Sequence, residues 1–197
     1  MGQYFENDTS LESKRRLLKL YINDNGLSFV SDSGVFSNDK IDYGSYTFIK
    51  TLLKEKRVNS LLDVGCGYGT LGITLRYLDF ADKVDMVDIN NKAIELAQEN
   101  IRRHNLDNIN CFYSDGLDEV KDSYDAIVIN PPIRAGKKVI YKMFNDSKNH
   151  LNEGGYLYIV IKKDLGGPSA IKELSNIYDK VEIINKDKGY LIIRSKA

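Results

Sequence analysis

The sequence predicts an α/β fold: a mostly parallel sheet of seven strands, with helices on both faces and an antiparallel hairpin at its C-terminal end. From residue 58 onward, short apolar runs alternate with segments of helical periodicity, the pattern of crossover units in a parallel sheet. The last two β-type runs are joined only by the segment 186–189, and so short a connection permits only an antiparallel hairpin. The hydrophobic fraction of 42% is ordinary for a globular chain and excludes wholesale disorder.

The strands are predicted from apolar runs that are short enough to be buried in a sheet. The run 58–64 ends in a buried-strand pattern, and the run 155–161 is apolar along almost all of its length. In chain order, the predicted strands are 58–64, 84–88, 109–113, 124–129, 155–161, 181–185 and 190–194.

The helices are predicted where apolar residues recur at a spacing of three or four. Leu71, Leu75 and Leu78, for example, share one face of the first helix that follows the first sheet strand. The predicted helices in this part of the chain are 70–78, 92–104, 137–151 and 169–176.

The first 57 residues form an N-terminal extension to this α/β body, which spans 58–197. Within the extension, 26–31 is a strand candidate, and 45–54 is predicted to be a helix with Phe48 and Leu52 facing inward. No linker rich in proline or serine separates the extension from the body, so residues 1–197 are predicted to form a single domain.

The charge balance limits the classes of partner. Twenty-eight Lys and Arg residues face 28 Asp and Glu residues, which argues against coating of nucleic acid by bulk electrostatics but leaves local basic faces possible. The longest apolar run, 156–161, is far shorter than the ~20 residues of a membrane-spanning helix. The first residues are polar, with Gln3, Glu6 and Asp8, so we expect no secretory signal and a cytoplasmic protein.

The cysteines and histidines predict neither a disulfide framework nor a metal site. Cys66 and Cys111 are too few for either and are expected to be reduced thiols. Cys66 has no basic neighbour in the sequence that would activate it as a nucleophile. His104 and His150 lie on helical segments without a second ligand at metal spacing, so no metal cofactor is expected.

A glycine-rich loop follows the first predicted strand of the body. Gly65, Gly67 and Gly69 stand directly between this strand and a helix, where a tight turn or close backbone approach requires glycine. In an open α/β sheet, such a loop is where nucleotides bind. Gly67, Gly69 and Gly72 also satisfy the dinucleotide fingerprint, but that pattern would start two residues late.

Two acidic residues follow the next two predicted strands. Asp88 closes the second strand, where a carboxylate can accept hydrogen bonds from both ribose hydroxyls of a bound nucleoside. Asp115 follows the third strand and could accept from an adenine amino group, although an Asp before Gly116 is also a common turn residue. These acids indicate an adenosine moiety without naming the cofactor.

An Asn-Pro-Pro corner follows the fourth predicted strand. Pro131 and Pro132 cannot continue a central strand, so the turn is stiff and holds Asn130 at the strand end. The side-chain oxygen of Asn130 and the backbone carbonyl of Pro131 are two acceptors suited to one exocyclic NH₂ group. Accepting both hydrogens and aligning the nitrogen would favour its attack on an electrophile.

These motifs, in this order, resemble those of class I S-adenosylmethionine-dependent methyltransferases. The run from Gly34 to Ser45 resembles more specifically the segment that leads into the catalytic domain of the "methyltransferase small domain" family, typified by bacterial small-subunit rRNA guanine-N2 methyltransferases. The likeness covers about residues 25–194. It implies a Rossmann-like methyltransferase sheet and S-adenosylmethionine as cofactor, with S-adenosylhomocysteine as product.

The resemblance also implies a role for each motif. The segment 63–69 would hold the methionine moiety, Asp88 the ribose, and Ile89 with Asp115 the adenine, while Phe36 and Ser37 would close over the cofactor. The implied cofactor-binding residues are Phe36, Ser37, Asp63, Gly65, Cys66, Gly67, Gly69, Asp88, Ile89, Asp115 and Asn130. The implied catalytic residues are Asn130, Pro131, Pro132 and Ile133.

The chain departs from the family pattern at Ile133, where amino-methyltransferases often carry an aromatic residue that stacks on the target base. Either Ile133 packs against the base, or Arg134 stacks its guanidinium plane on it. A basic cluster of Arg134, Lys137, Lys138 and Lys142 begins beside the Asn-Pro-Pro corner. We expect Arg134, Lys137 and Lys138 to bind substrate through RNA phosphates.

The favoured function is therefore methylation of an exocyclic amine of RNA, with guanine N2 of small-subunit rRNA as the target. One alternative is methylation of a glutamine amide in a protein, since such sites also carry Asn-Pro-Pro motifs. Another is a non-catalytic RNA-binding or ribosome-assembly module that retains the cofactor pocket. An NAD-linked oxidoreductase is disfavoured because Asn130 and its prolines have no role in hydride transfer. No membrane partner is expected, and both a monomer and a homodimer are compatible with the sequence.

Overall fold

The structure, a computed structural model, describes residues 12–197. The polar residues before Glu12, on which the expectation of a missing secretory signal depends, lie outside this range. The strands are β1 (Arg16–Ile22), β2 (Asn25–Ser31), β3 (Val58–Val64), β4 (Ala81–Asp88), β5 (Ile109–Tyr113), β6 (Tyr124–Ile129), β7 (Leu151–Lys162), β8 (Lys180–Asp187) and β9 (Tyr190–Lys196). The helices are α1 (Tyr43–Leu52), α2 (Thr70–Tyr77), α3 (Asn91–Arg103), α4 (Lys137–Asn149) and α5 (Gly167–Ile177).

The main sheet has seven strands in the order β5-β4-β3-β6-β7-β9-β8. Strands β3 to β7 pair in parallel, whereas β9 lies antiparallel to both β7 and β8. The predicted parallel body with one reversed hairpin is confirmed. The chain runs outward from β3 to β5 and then returns to place β6 on the other side of β3. A crevice for ligands therefore opens at the carboxyl ends of β3 and β6.

Helices cover both faces of the sheet, as predicted. Successive residues of β3 point to opposite faces, so Leu61 belongs to one apolar core and Leu62 to the other. Helices α1, α2 and α3 pack against the first face, where Phe48 is fully buried. Helices α4 and α5 pack against the second face, where Phe144 and Leu174 are fully buried.

The N-terminal part contains one strand that was not predicted. The candidate 26–31 is β2, and it forms a separate antiparallel hairpin with the unpredicted β1. The hairpin is fixed to α3 by Asn100, which is fully buried. Its Oδ1 accepts from the Val30 N–H at 2.7 Å, and its Nδ2 donates to the carbonyls of Val30 and Tyr68.

Some elements begin earlier than predicted. Strand β4 begins at Ala81 instead of 84, because the exposed Asp82 and Lys83 continue the pairing with β3 beyond the apolar run. Strand β7 begins at Leu151 instead of 155, and its register with β6 shifts near Tyr124. Helix α5 begins at Gly167, with a proline in its first turn where a backbone N–H is not needed.

Between residues 12 and 197, no helix is long and apolar enough to cross a membrane.

Candidate active site

A cavity of about 340 Å³ lies at the carboxyl ends of β3, β4 and β6 and is closed on one side by the segment that precedes α1. Its volume falls at the lower end of the range for small-molecule sites, about 300–1,000 Å³. The lining includes the following sequence-predicted residues: Phe36, Ser37, Gly65, Cys66, Gly67, Asp88, Ile89, Asp115, Asn130, Pro131 and Pro132. Motifs from distant parts of the chain therefore meet around one cavity.

The glycine loop forms the floor of the cavity. Gly65 and Gly67 have φ values of +72° and +56°, which L side chains adopt at a cost, so glycine is required by conformation at both positions. The N–H groups of Gly65 and Cys66 both donate to the carbonyl of Val87, at 2.8 and 3.0 Å. These bonds fold the loop back onto the end of β4 and bring it next to Asp88.

Asp63 and Gly69, both predicted to bind the cofactor, lie outside the lining of the cavity. The Asp63 side chain is fully buried beneath the loop, where its Oδ2 accepts from the Gly72 N–H at 2.9 Å. Burial raises the pKa of Asp63 to about 7, and the neighbouring Asp88 carboxylate adds to this rise. In this structure Asp63 braces the first turn of α2 against β3.

Asp88 is half-buried at the end of β4 and lines the cavity. Its Oδ2 accepts from the Gly67 N–H at 2.8 Å, and its Oδ1 accepts from the Asn90 N–H at 2.9 Å. A backbone hydrogen bond from Ile89 adds a third donor. Because a carboxylate has about four lone-pair sites, about one acceptor position remains for a ligand. Burial raises the pKa of Asp88, which these backbone donors partly offset.

The segment 34–37 closes the cavity opposite the glycine loop. Val35, Phe36 and Ser37 contribute to the lining, and Phe36 remains 41% exposed. The segment is anchored at both ends: Asn90 Nδ2 donates to the Gly34 carbonyl at 3.0 Å, and the Tyr68 hydroxyl donates to the Ser37 carbonyl at 3.3 Å. With both ends of the segment anchored, the exposed ring of Phe36 is suited to cover a bound planar group.

Asn130 is held in one orientation by the beginning of α1. Its Nδ2 donates to Asp42 Oδ2 at 3.2 Å and to Ser45 Oγ at 3.0 Å. Because a carboxylate can only accept, the amide nitrogen must face Asp42, and the amide oxygen is directed away from α1. Asn130 also lines the cavity. The same Asp42 Oδ2 caps α1 by accepting from the Ser45 N–H at 2.8 Å.

Asp42 and Ser45 were not among the predicted site residues, although both line the cavity. A sequence signal was present, because an Asp shortly before an apolar-periodic run is typical of a helix N-cap. That signal identifies Asp42 as the cap of α1. It does not reveal the hydrogen bond from Asn130, which lies 88 positions further along the chain.

The residues after the prolines form a turn that leads into α4. Ile133, predicted to be catalytic, lies outside the cavity lining and packs partly against the second apolar core. Arg134 is exposed, as are Lys137 and Lys138 in the first turn of α4; none of the three lines the cavity. Lys142, by contrast, is neutralised by ion pairs with Asp118 and Asp146.

The two cysteines are buried and adjacent. Cys66 Sγ lies 3.8 Å from Cys111 Sγ, and this contact together with burial raises the pKa of the Cys66 thiol. A thiol of raised pKa is a poor nucleophile, in agreement with the sequence interpretation. Within residues 12–197, no three His, Cys, Asp or Glu side chains are grouped so that they could hold a metal ion.

The sheet with its reversed last strand, and the glycine loop and Asn-Pro-Pro corner that share one cavity, define a methyltransferase of Rossmann-like fold. A family model for the methyltransferase small domain matches residues 26–194, and the chain belongs to that family. Both the predicted fold class and the predicted family are confirmed.

Relatives of known sequence and structure agree with this assignment. The chain is 39% identical over 196 residues to the uncharacterized protein YbxB of Bacillus subtilis, covering 98% of this chain and 97% of that protein. It is 29% identical over 178 residues to ribosomal RNA small subunit methyltransferase C of Salmonella typhi, covering 88% of this chain and 52% of the relative.

The structure of the T. thermophilus 16S rRNA N2 G1207 methyltransferase (RsmC) in complex with AdoMet and guanosine superposes with a TM-score of 0.84. The sequence identity is 23%, and the match covers 94% of this chain and 51% of that chain. The chain therefore spans about half the length of the methyltransferase C relatives it matches.

Proposed function

We propose that the protein transfers a methyl group from S-adenosylmethionine to an exocyclic amine of RNA, with guanine N2 of small-subunit rRNA as the target and the cytoplasm as the place of action. The observation that carries the proposal is the fixed orientation of Asn130, whose amide nitrogen is held by Asp42 and Ser45 at the wall of the cavity. Relatives named as ribosomal RNA methyltransferases support the choice of RNA.

The residues of the cavity suit S-adenosylmethionine. Asp88 lines the cavity and retains an acceptor position for a ribose hydroxyl, and Ile89 with Asp115 lies on the cavity wall where the adenine would be held. The loop from Gly65 to Gly67 would hold the methionine moiety, and Phe36 would cover the site. When bound, the cofactor supplies an electrophilic methyl group on a sulfonium.

The chain's contribution to the chemistry is to position and polarise the amine. The Asn130 side-chain oxygen and the Pro131 carbonyl would accept the two amine hydrogens, which draws electron density onto the nitrogen and aligns its lone pair. The new N–C bond forms as the S–C bond breaks, and the amine proton leaves to solvent after the attack. No general base is required, because no proton needs to leave before the methyl group moves.

The surface after the prolines would guide RNA into the site. Since Ile133 is partly occupied in packing against the core, we favour the exposed Arg134 as the side chain that stacks on the target base. Lys137 and Lys138, which are exposed, would contact phosphates. Charge reversal at these two lysines should flatten the salt dependence of RNA binding, and an unchanged slope would contradict their role.

The Asn130→Ala variant tests the proposal. S-adenosylhomocysteine binding, measured by calorimetry, should remain near that of the wild type, because the Asp88 side of the cavity is unchanged. Transfer of a labelled methyl group to ribosomal particles from cells that lack the protein should be lost.

The location of the label separates the alternatives in the same experiment. Label at guanine N2 in the small-subunit RNA with wild-type protein supports the proposal. Label in a protein would instead favour the glutamine-amide alternative, and no label at all would favour a non-catalytic assembly module.

A further inference from the structure

We infer that a second surface, on the opposite side of Asn130 from Arg134, binds the RNA strand that flanks the target nucleotide; this inference rests on the proposed function. The surface is a groove of about 420 Å³ between α1 and the β8–β9 hairpin. We call it the tyrosine–lysine groove and define it by Tyr43, Tyr46, Lys50, Lys54, Asp187 and Lys188.

The groove combines exposed ammonium groups with tyrosine rings. Lys188 Nζ lies 4.6 Å from the centre of the Tyr43 ring, and Lys50 Nζ lies 5.4 Å from that of Tyr46. Lys54 is exposed in the turn that follows α1. Within residues 12–197, none of these three lysines has a carboxylate oxygen within 4.0 Å of its Nζ. These three ammonium groups therefore form no direct ion pair with the described part of the chain.

The groove also contains one acid, Asp187, so its three lysines leave an excess of positive charge. Asp187 Oδ2 accepts from the Tyr43 hydroxyl at 2.7 Å and from Thr47 Oγ1 at 3.4 Å. The carboxylate is thus used to tie the β8–β9 hairpin to α1 and to fix the Tyr43 ring. Lys142, on the other side of the site, illustrates the opposite case, since two carboxylates pair with it.

A chain of neighbouring side chains connects the groove to Asn130. The Tyr43 and Tyr190 rings are 6.0 Å apart, and Lys162 Nζ lies 5.3 Å from the centre of the Tyr190 ring. The Tyr190 hydroxyl lies 3.4 Å from Asp42 Oδ1, and Asp42 in turn accepts from Asn130. A strand lying in the groove would therefore place its next nucleotide at the Asn130 side of the cavity.

This composition favours single-stranded RNA as the occupant. Lysine ammonium groups neutralise backbone phosphates, while tyrosine rings provide stacking surfaces for unpaired bases. Both features occur together here and adjoin the site where one base would be held. An acidic peptide would use the lysines without a requirement for the rings, so the two occupants can be distinguished by substitution of a tyrosine.

The test compares two variants that each lose three positive charges. The groove variant carries Lys50→Ala, Lys54→Ala and Lys188→Ala. The control variant removes three exposed lysines elsewhere: Lys19→Ala, Lys121→Ala and Lys172→Ala. The probe is a single-stranded segment of small-subunit rRNA, and its Kd is measured between about 50 and 200 mM salt.

In the groove variant, the slope of log K against log[salt] should fall in magnitude by about two, because each phosphate that the protein neutralises on a single strand contributes ~0.7 to it. The control variant should keep the wild-type slope, and all three proteins should bind S-adenosylhomocysteine equally. Equal slopes for the groove and control variants would overturn the inference.

Tyr46→Leu tests stacking separately, since leucine retains apolar packing beside the core. RNA affinity should fall by about tenfold, in line with the loss of one stacked base. RNA affinity unchanged by Tyr46→Leu, together with binding of a polyglutamate peptide that depends on the three groove lysines, would replace RNA by an acidic peptide as the occupant.

Failure of the inference can be told apart from failure of the proposed function. If wild-type protein methylates RNA but the groove and control variants bind it alike, only the groove is wrong. If wild-type protein neither binds nor methylates RNA, the proposed function fails and the groove assignment fails with it.

Discussion

Replacement of Asp42 should separate its role in orienting Asn130 from its role in capping α1. One oxygen, Oδ2, accepts from both the Ser45 N–H at 2.8 Å and Asn130 Nδ2 at 3.2 Å. Asp, Asn and Ser are about equally good N-caps, so Asp42→Asn and Asp42→Ser should both preserve α1. Only Asp42→Asn can also place a side-chain oxygen where it accepts from Asn130 Nδ2, because the serine side chain in Asp42→Ser is shorter.

The expected effect follows from the strength of the bond that is removed. A hydrogen bond to a charged group contributes about 1.5–3 kcal/mol, so complete loss of orientation in Asp42→Ser should lower kcat by about tenfold to a hundredfold. Asp42→Asn replaces the charged bond with a neutral one of about 0.5–1.5 kcal/mol and should lose less than about tenfold. Ser45 Oγ still accepts from Asn130 in both variants, so part of the orientation is kept. The hundredfold loss of kcat is therefore an upper limit.

The assay is methyl transfer at saturating donor and RNA, with Tm and the affinity for S-adenosylhomocysteine as controls. Both variants should resemble the wild type in these controls, because Asp42 contacts Ser45 and Asn130 and not Asp88 or the glycine loop. Wild-type kcat in Asp42→Ser, or equal kcat in the two variants at equal Tm, would refute the argument that Asp42 orients Asn130.

Two further predictions concern the acids around the glycine loop. Asp88→Ala should weaken S-adenosylhomocysteine binding by about 1.5–3 kcal/mol in calorimetry, through loss of charge-assisted bonds to the ribose; unchanged affinity would remove Asp88 from the cofactor site. Burial raises the pKa of Asp63 to about 7, above its usual 3.8, so its contribution to folding stability is present below about pH 4 and is lost as the pH rises toward 7. Thermal unfolding at pH 4, 6 and 8 should therefore show the Tm of Asp63→Asn rising relative to wild type with pH, and a constant Tm difference would contradict the shift.

Much of the fold could be predicted because its buried strands are short apolar runs with clear ends. The predicted bounds of β3, β5 and β6 match the structure. Strand β1 was missed although Leu18, Leu20 and Ile22 alternate with exposed residues. Arg15, next to this strand, forms an ion pair with Glu99 of α3.

The site could be predicted only in part, because a sequence motif shows which residues are close along the chain but not which residues are close in space. Asp63 belongs to the glycine motif, but a motif does not distinguish an acid that faces a ligand from one that braces the loop from below. The bond from Asn130 to Asp42 joins residues 88 positions apart, and it depends on how α1 docks against the end of β6. The tyrosine–lysine groove likewise exists only once the β8–β9 hairpin lies beside α1.

A crystal structure of the protein with S-adenosylhomocysteine and guanosine tests the central claim most directly. We expect the guanine N2 amine to donate to the Asn130 side-chain oxygen and the Pro131 carbonyl, with its nitrogen facing the sulfur above the glycine loop. A guanine amine bound away from Asn130, or an Asn130 oxygen turned away from the sulfur, would contradict the account.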